Sequence, residues 1–326
     1  MRTNNVDQRL AAVVRHRIAR AGERGIKRGN RARRVGHCPR ATDKRPLTAS
    51  HWDAINVANN INDGGQAAFW EQIMDVNGHA ALVTGGGSGL GAATAEALAK
   101  ADAKVALLDV NLEAARAVAQ RIGGLAVQCD VADADSAAAA VAQARERHGA
   151  ARILINCAGI GPPKRIVGRD GPMPLGDYDR VIRVNLIGSF NMMRLAAADM
   201  SKLEPLADNE RGVIVSTASV AAYEGQIGQA AYASSKGGVV GLNLPAAREL
   251  AQFGIRVMTI APGLFLTPLL RSLPEDVQAS LSASVPFPKR LGDPREFADT
   301  VLFIVRSAYL NGEVIRLDGA LRMAPR

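Results

Sequence analysis

A glycine-rich segment that follows a short apolar run constrains this chain more than any other feature. Residues 80–83 are apolar, the next residues include Gly85, Gly86, Gly87 and Gly89, and a helix-forming run follows. Glycine allows a tight turn and a close approach of the backbone to a pyrophosphate, whose charge then lies at the positive end of the following helix. The order strand, glycine turn and helix therefore predicts a dinucleotide-binding site. A plain strand–turn–helix unit without a ligand is the simpler alternative.

An acidic residue after the next apolar run indicates which dinucleotide is bound. The predicted strand 104–108 is followed directly by Asp109. A carboxylate at the end of this strand accepts hydrogen bonds from the adenosine ribose and repels a 2′-phosphate group. The sequence therefore predicts NAD, in preference to NADP, as the cofactor.

Short apolar runs alternate with longer helical segments from residue 80 onward. Such alternation predicts an α/β domain with a doubly wound Rossmann fold, in which helices cover both faces of a single seven-stranded parallel sheet. Loops after the strands then meet in one cleft, where we expect the functional site. The predicted strands are 80–83, 104–108, 125–129, 153–155, 212–216, 256–260 and 314–317. The predicted helices are 90–100, 112–122, 134–147, 178–200, 232–252 and 295–306, and the long loops are 159–177, 217–231 and 261–294.

The positive charge of the chain is concentrated at its beginning. The formal net charge of the 326 residues is +9, but residues 1–50 alone hold 14 Lys and Arg against 3 Asp and Glu, a balance of +11. We expect residues 1–73 to be a basic, disordered N-terminal extension and residues 74–326 to be the Rossmann domain. Three interpretations of the extension remain open: a start codon assigned upstream of Met74, an organelle-targeting peptide, and a basic arm that binds nucleic acid.

Several classes of protein are disfavoured by the composition. The cysteines Cys38, Cys129 and Cys157 are too few and too scattered for a disulfide framework or a zinc site, and the five histidines lack metal-ligand spacing. We therefore predict no metal. The chain has no charge-free run of 18 apolar residues and no signal-peptide core, which predicts neither membrane insertion nor secretion. We expect a cytoplasmic protein, or a mitochondrial one if the N-terminal extension is a transit peptide.

A tyrosine and a lysine four positions apart provide the candidate chemistry. Tyr232 and Lys236 begin the predicted helix 232–252, so both side chains project from one helix face. A phenol with its usual pKa of about 10 is a weak base at neutral pH, and a nearby cation favours its ionised form. Taken alone, the pair is more typical of an ordinary exposed helix face, so its interpretation depends on the residues around it.

Other polar residues follow neighbouring predicted strands, and together they resemble the short-chain dehydrogenase/reductase family. The resemblance covers about residues 76–326 and rests on the order and spacing of several motifs. Cys157 departs from the pattern, since many family members have a second asparagine there. The matching elements are Thr84-Gly85-xxx-Gly89-x-Gly91, Asp109, Asn156-x-Ala158-Gly159, Asn185, Ser219, Tyr232-xxx-Lys236 and Pro262-Gly263.

The resemblance implies hydride transfer between a secondary alcohol and NAD, with each motif residue in a defined role. Tyr232 is the expected general base in oxidation and general acid in reduction. Ser219 is expected to bond the substrate oxygen, Lys236 to hold the nicotinamide ribose and lower the Tyr232 pKa, and Asn185 to anchor a proton-relay water. The expected substrate residues are Ser219, Gln226 and Tyr232. The expected cofactor residues are Thr84, Gly85, Ser88, Gly89, Leu90, Gly91, Asp109, Asp130, Val131, Asn156, Ala158, Gly159, Tyr232, Lys236, Pro262, Gly263 and Thr267.

Segments outside the catalytic motifs narrow the resemblance to one subfamily. Residues 217–226, 256–265, 285–288 and 310–319 look like those of the type-2 3-hydroxyacyl-CoA dehydrogenases. The implied substrate is a (3S)-3-hydroxyacyl-CoA, which places the enzyme in fatty acid metabolism. The alternative within enzymes is a hydroxysteroid or another secondary alcohol, because an apolar pocket discriminates weakly between such ligands.

Assembly and other partners are also expectations from the resemblance and the charge. Enzymes of this type form homotetramers, with the predicted helices 178–200 and 232–252 at one interface and the C-terminal region at another. An alternative from a different functional class is a nucleic-acid-binding or scaffold protein that uses the basic N-terminus. The intact set of Ser219, Tyr232 and Lys236 argues against that alternative, because a scaffold has no need of all three.

Overall fold

The structure is a computed structural model that describes residues 74–325 of the chain. Predictions for residues 1–73 lie outside the described residues. In the described part, seven parallel strands form one sheet in the order β3-β2-β1-β4-β7-β8-β9. The strands are β1 (Ala80–Thr84), β2 (Lys104–Asp109), β3 (Leu125–Gln128), β4 (Ile153–Asn156), β7 (Gly212–Thr217), β8 (Ile255–Pro262) and β9 (Val314–Leu317). A separate hairpin consists of β5 (Val167–Gly168) and β6 (Gly171–Pro172).

Helices cover both faces of this sheet, which confirms the predicted Rossmann fold. A π-helical turn (Arg183–Ile187) joins the fourth and fifth helices end to end. The α-helices are α1 (Gly89–Lys100), α2 (Leu112–Ile122), α3 (Ala134–His148), α4 (Leu175–Ile182), α5 (Gly188–Met200), α6 (Ala230–Leu250), α7 (Pro268–Arg271), α8 (Glu275–Ser284) and α9 (Pro294–Arg306).

The sheet separates two apolar layers, because successive side chains of a strand point to opposite faces. On one face, Leu154 and Ile214 pack with Met192 and Met200 of α5. On the other face, the neighbouring strand residues pack against Leu98 of α1 and Phe297 of α9. Strands covered on both sides consist of almost continuous apolar residues, which is why their positions could be predicted closely.

The strand order reverses at β1, whose two neighbours are β2 and β4. The register pairs Thr84, the last residue of β1, with Leu108 on one side and Asn156 on the other. The carboxyl ends of these strands therefore lie at the same edge of the sheet. In open α/β sheets the crevice at such a reversal is the usual ligand site.

Three regions differ from the sequence prediction. The predicted helix 178–200 begins at Leu175 and is divided by the π-helical turn. The predicted loop 159–177 contains the β5–β6 hairpin, and the predicted loop 261–294 contains α7 and α8. Two-residue strands and a four-residue helix are too short to leave a periodic pattern, and the π-helical turn keeps the surrounding helical pattern almost intact.

Candidate active site

The glycine turn between β1 and α1 forms a close-packed cradle. Gly85 has a φ of +63°, and a Cβ built on it would lie 2.8 Å from the backbone nitrogen of Ala158. A Cβ on Gly91 would lie 2.1 Å from the carbonyl oxygen of Gly85. Ser88 is the N-cap residue of α1, and its side chain makes no capping hydrogen bond to the described residues. The first turn of α1 therefore presents backbone N–H groups and a positive dipole end to an incoming anion.

The Asp109 carboxylate is fixed at the tip of β2 by two backbone donors. Its Oδ2 accepts a hydrogen bond from Gly87 N at 2.9 Å, and its Oδ1 accepts one from Asn111 N at 2.9 Å. A carboxylate oxygen has more than one acceptor position, so each oxygen retains capacity for a further donor. The predicted acidic group is thus attached directly to the glycine turn and is oriented beside it.

Thr84 and Asn156 lie beneath the cleft, where they join neighbouring strands. Thr84 is 1% exposed, and its hydroxyl accepts hydrogen bonds from the backbone nitrogens of Cys157 and Ala158, each at 3.1 Å. The Asn156 amide nitrogen donates to Ser189 O at 3.3 Å and to Ser216 Oγ at 3.4 Å. These two predicted cofactor residues support the floor of the site instead of forming its open wall.

The other predicted cofactor residues surround the same crevice. Asp130 is exposed after β3, and its Oδ1 accepts a hydrogen bond from Ala132 N at 2.9 Å. Gly159 lies against two of the candidate catalytic residues, since a Cβ there would be 3.2 Å from Asn185 Oδ1 and 3.4 Å from Lys236 Nζ. Val131 and Ala158 follow β3 and β4, and Leu90 lies in the first turn of α1. Pro262 ends β8 and is followed by Gly263. Thr267 is the N-cap of α7 and lies beside Gly89.

Ser219, Tyr232 and Lys236 come together above the ends of β7 and β8, as the motifs predicted. Ser219 begins a short 3-10 turn after β7, where its Oγ accepts a hydrogen bond from Ala221 N at 3.1 Å. The Tyr232 hydroxyl lies beside the Ser219 side chain, whose effect is to lower the pKa of the phenol. Lys236 is 4% exposed, and its Nζ donates to Thr217 O at 2.7 Å and lies 5.8 Å from the centre of the Tyr232 ring.

Burial dominates the electrostatics of these groups. It raises the pKa of Tyr232, although the Ser219 side chain acts in the opposite direction. Burial also lowers the pKa of Lys236 to about 8. Desolvation of the phenolate therefore outweighs the effect of Ser219, and the lowering of the Tyr232 pKa by Lys236 stays a prediction.

Asn185 lies at the centre of the π-helical turn and is completely buried. Its Oδ1 accepts a hydrogen bond from Ile160 N at 2.8 Å, and its Nδ2 donates to Ile160 O at 2.8 Å and to Ser235 Oγ at 2.9 Å. Ser189 Oγ donates to the Asn185 carbonyl at 2.6 Å. The amide thus connects the loop after β4 to α6, the helix that contains Tyr232 and Lys236, and π-helical turns of this kind are frequent at functional sites.

Two supporting residues were missed by the sequence analysis. Ser235 is completely buried, and its Oγ donates to Tyr232 O at 2.7 Å while it accepts from Asn185. Its position three residues after Tyr232 places both on one helix face, which was the available signal. Thr217 holds Lys236 through its carbonyl, but no side-chain pattern reveals a backbone contact.

Cys157 occupies the position at which the family pattern often has asparagine. Its Sγ lies 3.5 Å from the Thr217 hydroxyl, which donates to it, and burial raises the pKa of the thiol to about 11. The group is therefore neutral around pH 7, and its packing beneath the site explains how the substitution is tolerated.

Gln226, a predicted substrate residue, already forms a hydrogen bond within the protein. Its Nε2 donates to Ala324 O at 2.9 Å, so the C-terminal segment lies beside it. Lys164 forms an ion pair with Asp177 in the loop after β4. Gly161 of the same loop lies against the Tyr232 ring, because a Cβ there would be 3.0 Å from ring carbon Cδ2.

One cavity among the described residues lies away from these groups. Its volume is about 940 Å³, and it surrounds the amino-terminal end of β8 between Arg256 and the exposed Tyr309. It contains none of the predicted site residues. Within residues 74–325, no group of three or more His, Cys, Asp and Glu side chains is arranged to hold a metal ion, and no helix has the length and apolar character to span a membrane.

Comparison with known proteins agrees with this geometry. The family model described as short chain dehydrogenase matches residues 79–278. The 3-hydroxyacyl-CoA dehydrogenases type-2 of Bos taurus and Homo sapiens are each 51% identical to this chain over 254 residues, covering 77% of it and 97% of each relative.

Two solved structures are also similar. That of 3-hydroxyacyl-CoA dehydrogenase type-2 from Mycobacterium avium has a TM-score of 0.73 and 44% identity, and covers 76% of this chain and 98% of its own. That of 7α-hydroxysteroid dehydrogenase complexed with NADH and 7-oxo glycochenodeoxycholic acid has a TM-score of 0.70 and 31% identity, and covers 78% and 99%. This chain therefore belongs to the short-chain dehydrogenase/reductase family, whose oxidoreductases bind a nicotinamide cofactor.

Proposed function

We propose that this protein is an NAD-dependent dehydrogenase that oxidises a (3S)-3-hydroxyacyl-CoA to the corresponding 3-ketoacyl-CoA. The observation that carries the proposal is the cluster of the buried Ser219 and Lys236 with the partly buried Tyr232 at the edge of the nucleotide cradle. The relatives that are half identical to this chain bear the same activity in their names and support the choice of substrate.

The residues of the cradle fit NAD. Gly85 and Gly91 have no Cβ, which lets the turn pack closely where a side chain would clash. The start of α1 has no side-chain cap, so its backbone N–H groups can bind a pyrophosphate. Asp109, held by two backbone donors beside the turn, would accept hydrogen bonds from the adenosine ribose. The same carboxylate would repel a 2′-phosphate, which supports NAD over NADP.

The side chains of the protein manage the proton of the reaction. When bound, NAD accepts the hydride that leaves carbon 3 of the substrate. Tyr232 takes the proton of the substrate hydroxyl in the oxidative direction and returns it in the reductive direction. Ser219 holds the substrate oxygen within reach of the phenol through its hydroxyl.

Lys236 and Asn185 assist this proton transfer, the first through its charge and the second by binding a water molecule. Because the Lys236 pKa is about 8, the side chain carries its positive charge through most of the neutral range and would favour the phenolate once a proton has to leave. The Asn185 carbonyl retains acceptor capacity beyond the Ser189 bond, and we assign it the relay water.

The loop after β4 supplies cations for the phosphates of coenzyme A. Lys164, Arg165 and Arg169 are exposed there, although Lys164 is paired with Asp177 and would have to exchange partners. Phe265, one of the apolar residues after β8 that could line an acyl pocket, packs edge to face on Phe297 in the core at a centroid distance of 6.4 Å. The pocket wall therefore depends on the neighbouring leucines, Leu264 and Leu266, which are partly buried.

A hydroxysteroid or another secondary alcohol is the second candidate substrate. The similarity to a 7α-hydroxysteroid dehydrogenase supports this alternative, since the same proton-transfer residues serve either alcohol. Steady-state oxidation of 3-hydroxyacyl-CoA thioesters and free steroid alcohols, each with NAD and NADP, separates the two. The proposal predicts the highest kcat/KM for a thioester with NAD, and a higher value for a steroid alcohol would contradict it.

A nucleic-acid-binding or scaffold function is a third candidate, based on the +11 balance of residues 1–50. Those residues lie outside the described part of the chain, while the described part retains the complete catalytic group. Lack of turnover on every alcohol of the panel, together with salt-dependent binding of duplex DNA or RNA, would favour this function over the dehydrogenase.

We propose a homotetramer in the cytoplasm as the working form. Exposed apolar side chains support the two expected interfaces. Phe190 on α5 and Leu244 on α6 lie at the helical interface, and Phe303 on α9 and Tyr309 after it lie in the C-terminal region. The free thiols of Cys129 and Cys157 are consistent with a reducing compartment. A monomer by light scattering at micromolar concentration would contradict the tetramer.

A further inference from the structure

The segment between β7 and α6 joins two of the catalytic residues. Residues 218–229, called the connecting segment below, contain Ser219 near the beginning and Gln229, the N-cap of α6, at the end. Tyr232 follows three residues later. Gln226, the predicted substrate residue, lies within the segment. The position of its middle therefore affects the substrate side of the site and the distance between the Ser219 and Tyr232 hydroxyls.

Arg316 of β9 forms an ion pair with Glu224 in the middle of the connecting segment. Its Nη1 and Nη2 donate to the two carboxylate oxygens of Glu224 at 2.8 and 3.1 Å. Its guanidinium carbon lies 5.2 Å from the centre of the Tyr223 ring. The Nε donates to Asp318 at 2.7 Å, and Nη2 also donates to Leu321 O at 3.1 Å. A planar fork with this many fixed partners orients a carboxylate more strictly than a single ammonium can.

The C-terminal residues continue the same attachment. Arg322 pairs with Asp318 at 3.2 Å and with Glu224 at 3.4 Å, and Met323 N donates to Glu224 Oε2 at 3.2 Å. Beyond these contacts, Gln226 Nε2 donates to Ala324 O, and Ile227 N donates to Pro325 O at 3.1 Å. Residues 322–325 thus lie along the outside of the connecting segment.

The inner side of the segment is also fixed. A Cβ built on Gly225 would lie 2.8 Å from the Cβ of Ala233, the residue after Tyr232. The backbone at Gly225 is therefore packed directly against α6 and cannot move inward without a clash. The packing of Gly225 on α6 and the ion pair of Glu224 with Arg316 therefore hold the segment from its two sides.

We propose that Arg316 is a positioning residue for the substrate side of the active site, acting through Glu224 on the connecting segment that carries Ser219 and Gln226. The inference rests on the proposed dehydrogenase function. Neither residue touches the glycine turn or Asp109, and Arg316 reaches the expected cofactor residues Pro262 and Gly263 only through its neighbours Leu317 and Asp318. The Arg316–Glu224 contact should therefore affect the substrate side more than NAD binding. Loss of the Arg316–Glu224 ion pair should raise KM for the substrate and lower kcat, because Ser219 and Tyr232 would no longer be held at a fixed distance from each other.

The test compares Arg316→Lys with Arg145→Lys in the full-length protein. Arg145 also binds a carboxylate with two hydrogen bonds, to Asp199 at 2.8 and 3.0 Å, but lies on α3 away from the cleft. With (3S)-3-hydroxybutyryl-CoA as the probe, we expect Arg316→Lys to lower kcat/KM by about tenfold, as misplacement of reacting groups does. The dissociation constant for NAD should remain within about twofold, and Arg145→Lys should change neither quantity.

Hydrogen exchange of the same proteins provides a readout that does not need turnover. Peptides from the connecting segment should exchange faster in Arg316→Lys, while peptides from β1 and α1 should match the wild type. This measurement tests the inference even if the wild type does not turn over the probe, a result that would count against the proposed substrate alone. Should Arg316→Lys fail to fold, Glu224→Gln, which keeps the size of the side chain and loses its charge, replaces it.

Two results would overturn the inference. One is an Arg316→Lys or Glu224→Gln protein with wild-type kcat, KM and exchange in residues 218–229. The other is an increase of exchange spread evenly over the domain with equal losses of substrate and NAD binding, which would identify the Arg316 cluster as a general stabiliser.

Discussion

Replacement of Asp109 by asparagine tests the basis of cofactor choice. The carboxylate accepts one backbone hydrogen bond on each oxygen, so both oxygens are oriented before a ribose arrives. Asparagine keeps the Oδ1 acceptor but places an NH2 group where Oδ2 receives the Gly87 N–H. Two donors would then face each other, and the negative charge beside the ribose would be lost.

The expected effect follows from the number of bonds affected. A hydrogen bond to a charged group contributes about 1.5–3 kcal/mol, and a change of about 1.4 kcal/mol is tenfold in an equilibrium constant. Loss of one charged ribose bond should therefore weaken NAD binding by about 10- to 100-fold. NADP should bind better than to the wild type, because its 2′-phosphate no longer meets a carboxylate.

The assay is kcat/KM for NAD and for NADP at a fixed, saturating alcohol concentration, with dissociation constants from fluorescence titration. Glu146→Gln, an exposed neutralisation on α3, is the matched control for the change of net charge and should leave both cofactors unaffected. An Asp109→Asn enzyme with wild-type NAD kinetics and no gain for NADP would refute the assigned role of the carboxylate.

Three further predictions concern the support of the site. Thr84→Val should lower the free energy of unfolding by about 1–3 kcal/mol in urea denaturation, because Ala158 N loses its partner, whereas Cys157 N also donates to the Thr84 carbonyl. Thr94→Val is the control with a smaller expected loss, since the Thr94 hydroxyl is only a donor, to Leu90 O. Cys129 and Cys157, whose pKa values burial raises to about 12 and about 11, should resist iodoacetamide at pH 8 until the protein unfolds; rapid labelling of the native protein would contradict this. Because the pKa of Tyr232 is raised, kcat for oxidation should increase from pH 7 toward pH 10 as the phenolate forms, and a profile that falls over this range would contradict its role as base.

The sequence predicted the sheet and the proximity of Ser219, Tyr232 and Lys236 for a common physical reason. Strands buried on both faces are uninterrupted apolar runs, and Ser219, Tyr232 and Lys236 stand at fixed distances from them along the chain. The carboxyl ends of neighbouring strands must meet, so residues just after them must meet as well. Asp109, which ends β2 as expected, illustrates this directly.

Other features of the site depend on contacts that no local pattern records. The π-helical turn at Asn185 is stabilised by hydrogen bonds to Ile160, 25 positions earlier in the chain. Arg316 reaches Glu224 across 92 positions. The raised pKa of Tyr232 depends on the burial of the phenol, a tertiary property, whereas the local sequence shows only the neighbouring lysine.

The central claim is that Tyr232 transfers the proton in an NAD-dependent oxidation. The most direct test is Tyr232→Phe, which removes the hydroxyl beside Ser219 and little else. We predict an unchanged dissociation constant for NAD and a loss of kcat of about 10²- to 10⁴-fold, measured with the best substrate of the alcohol panel. A Tyr232→Phe enzyme that retains near wild-type kcat would contradict the account.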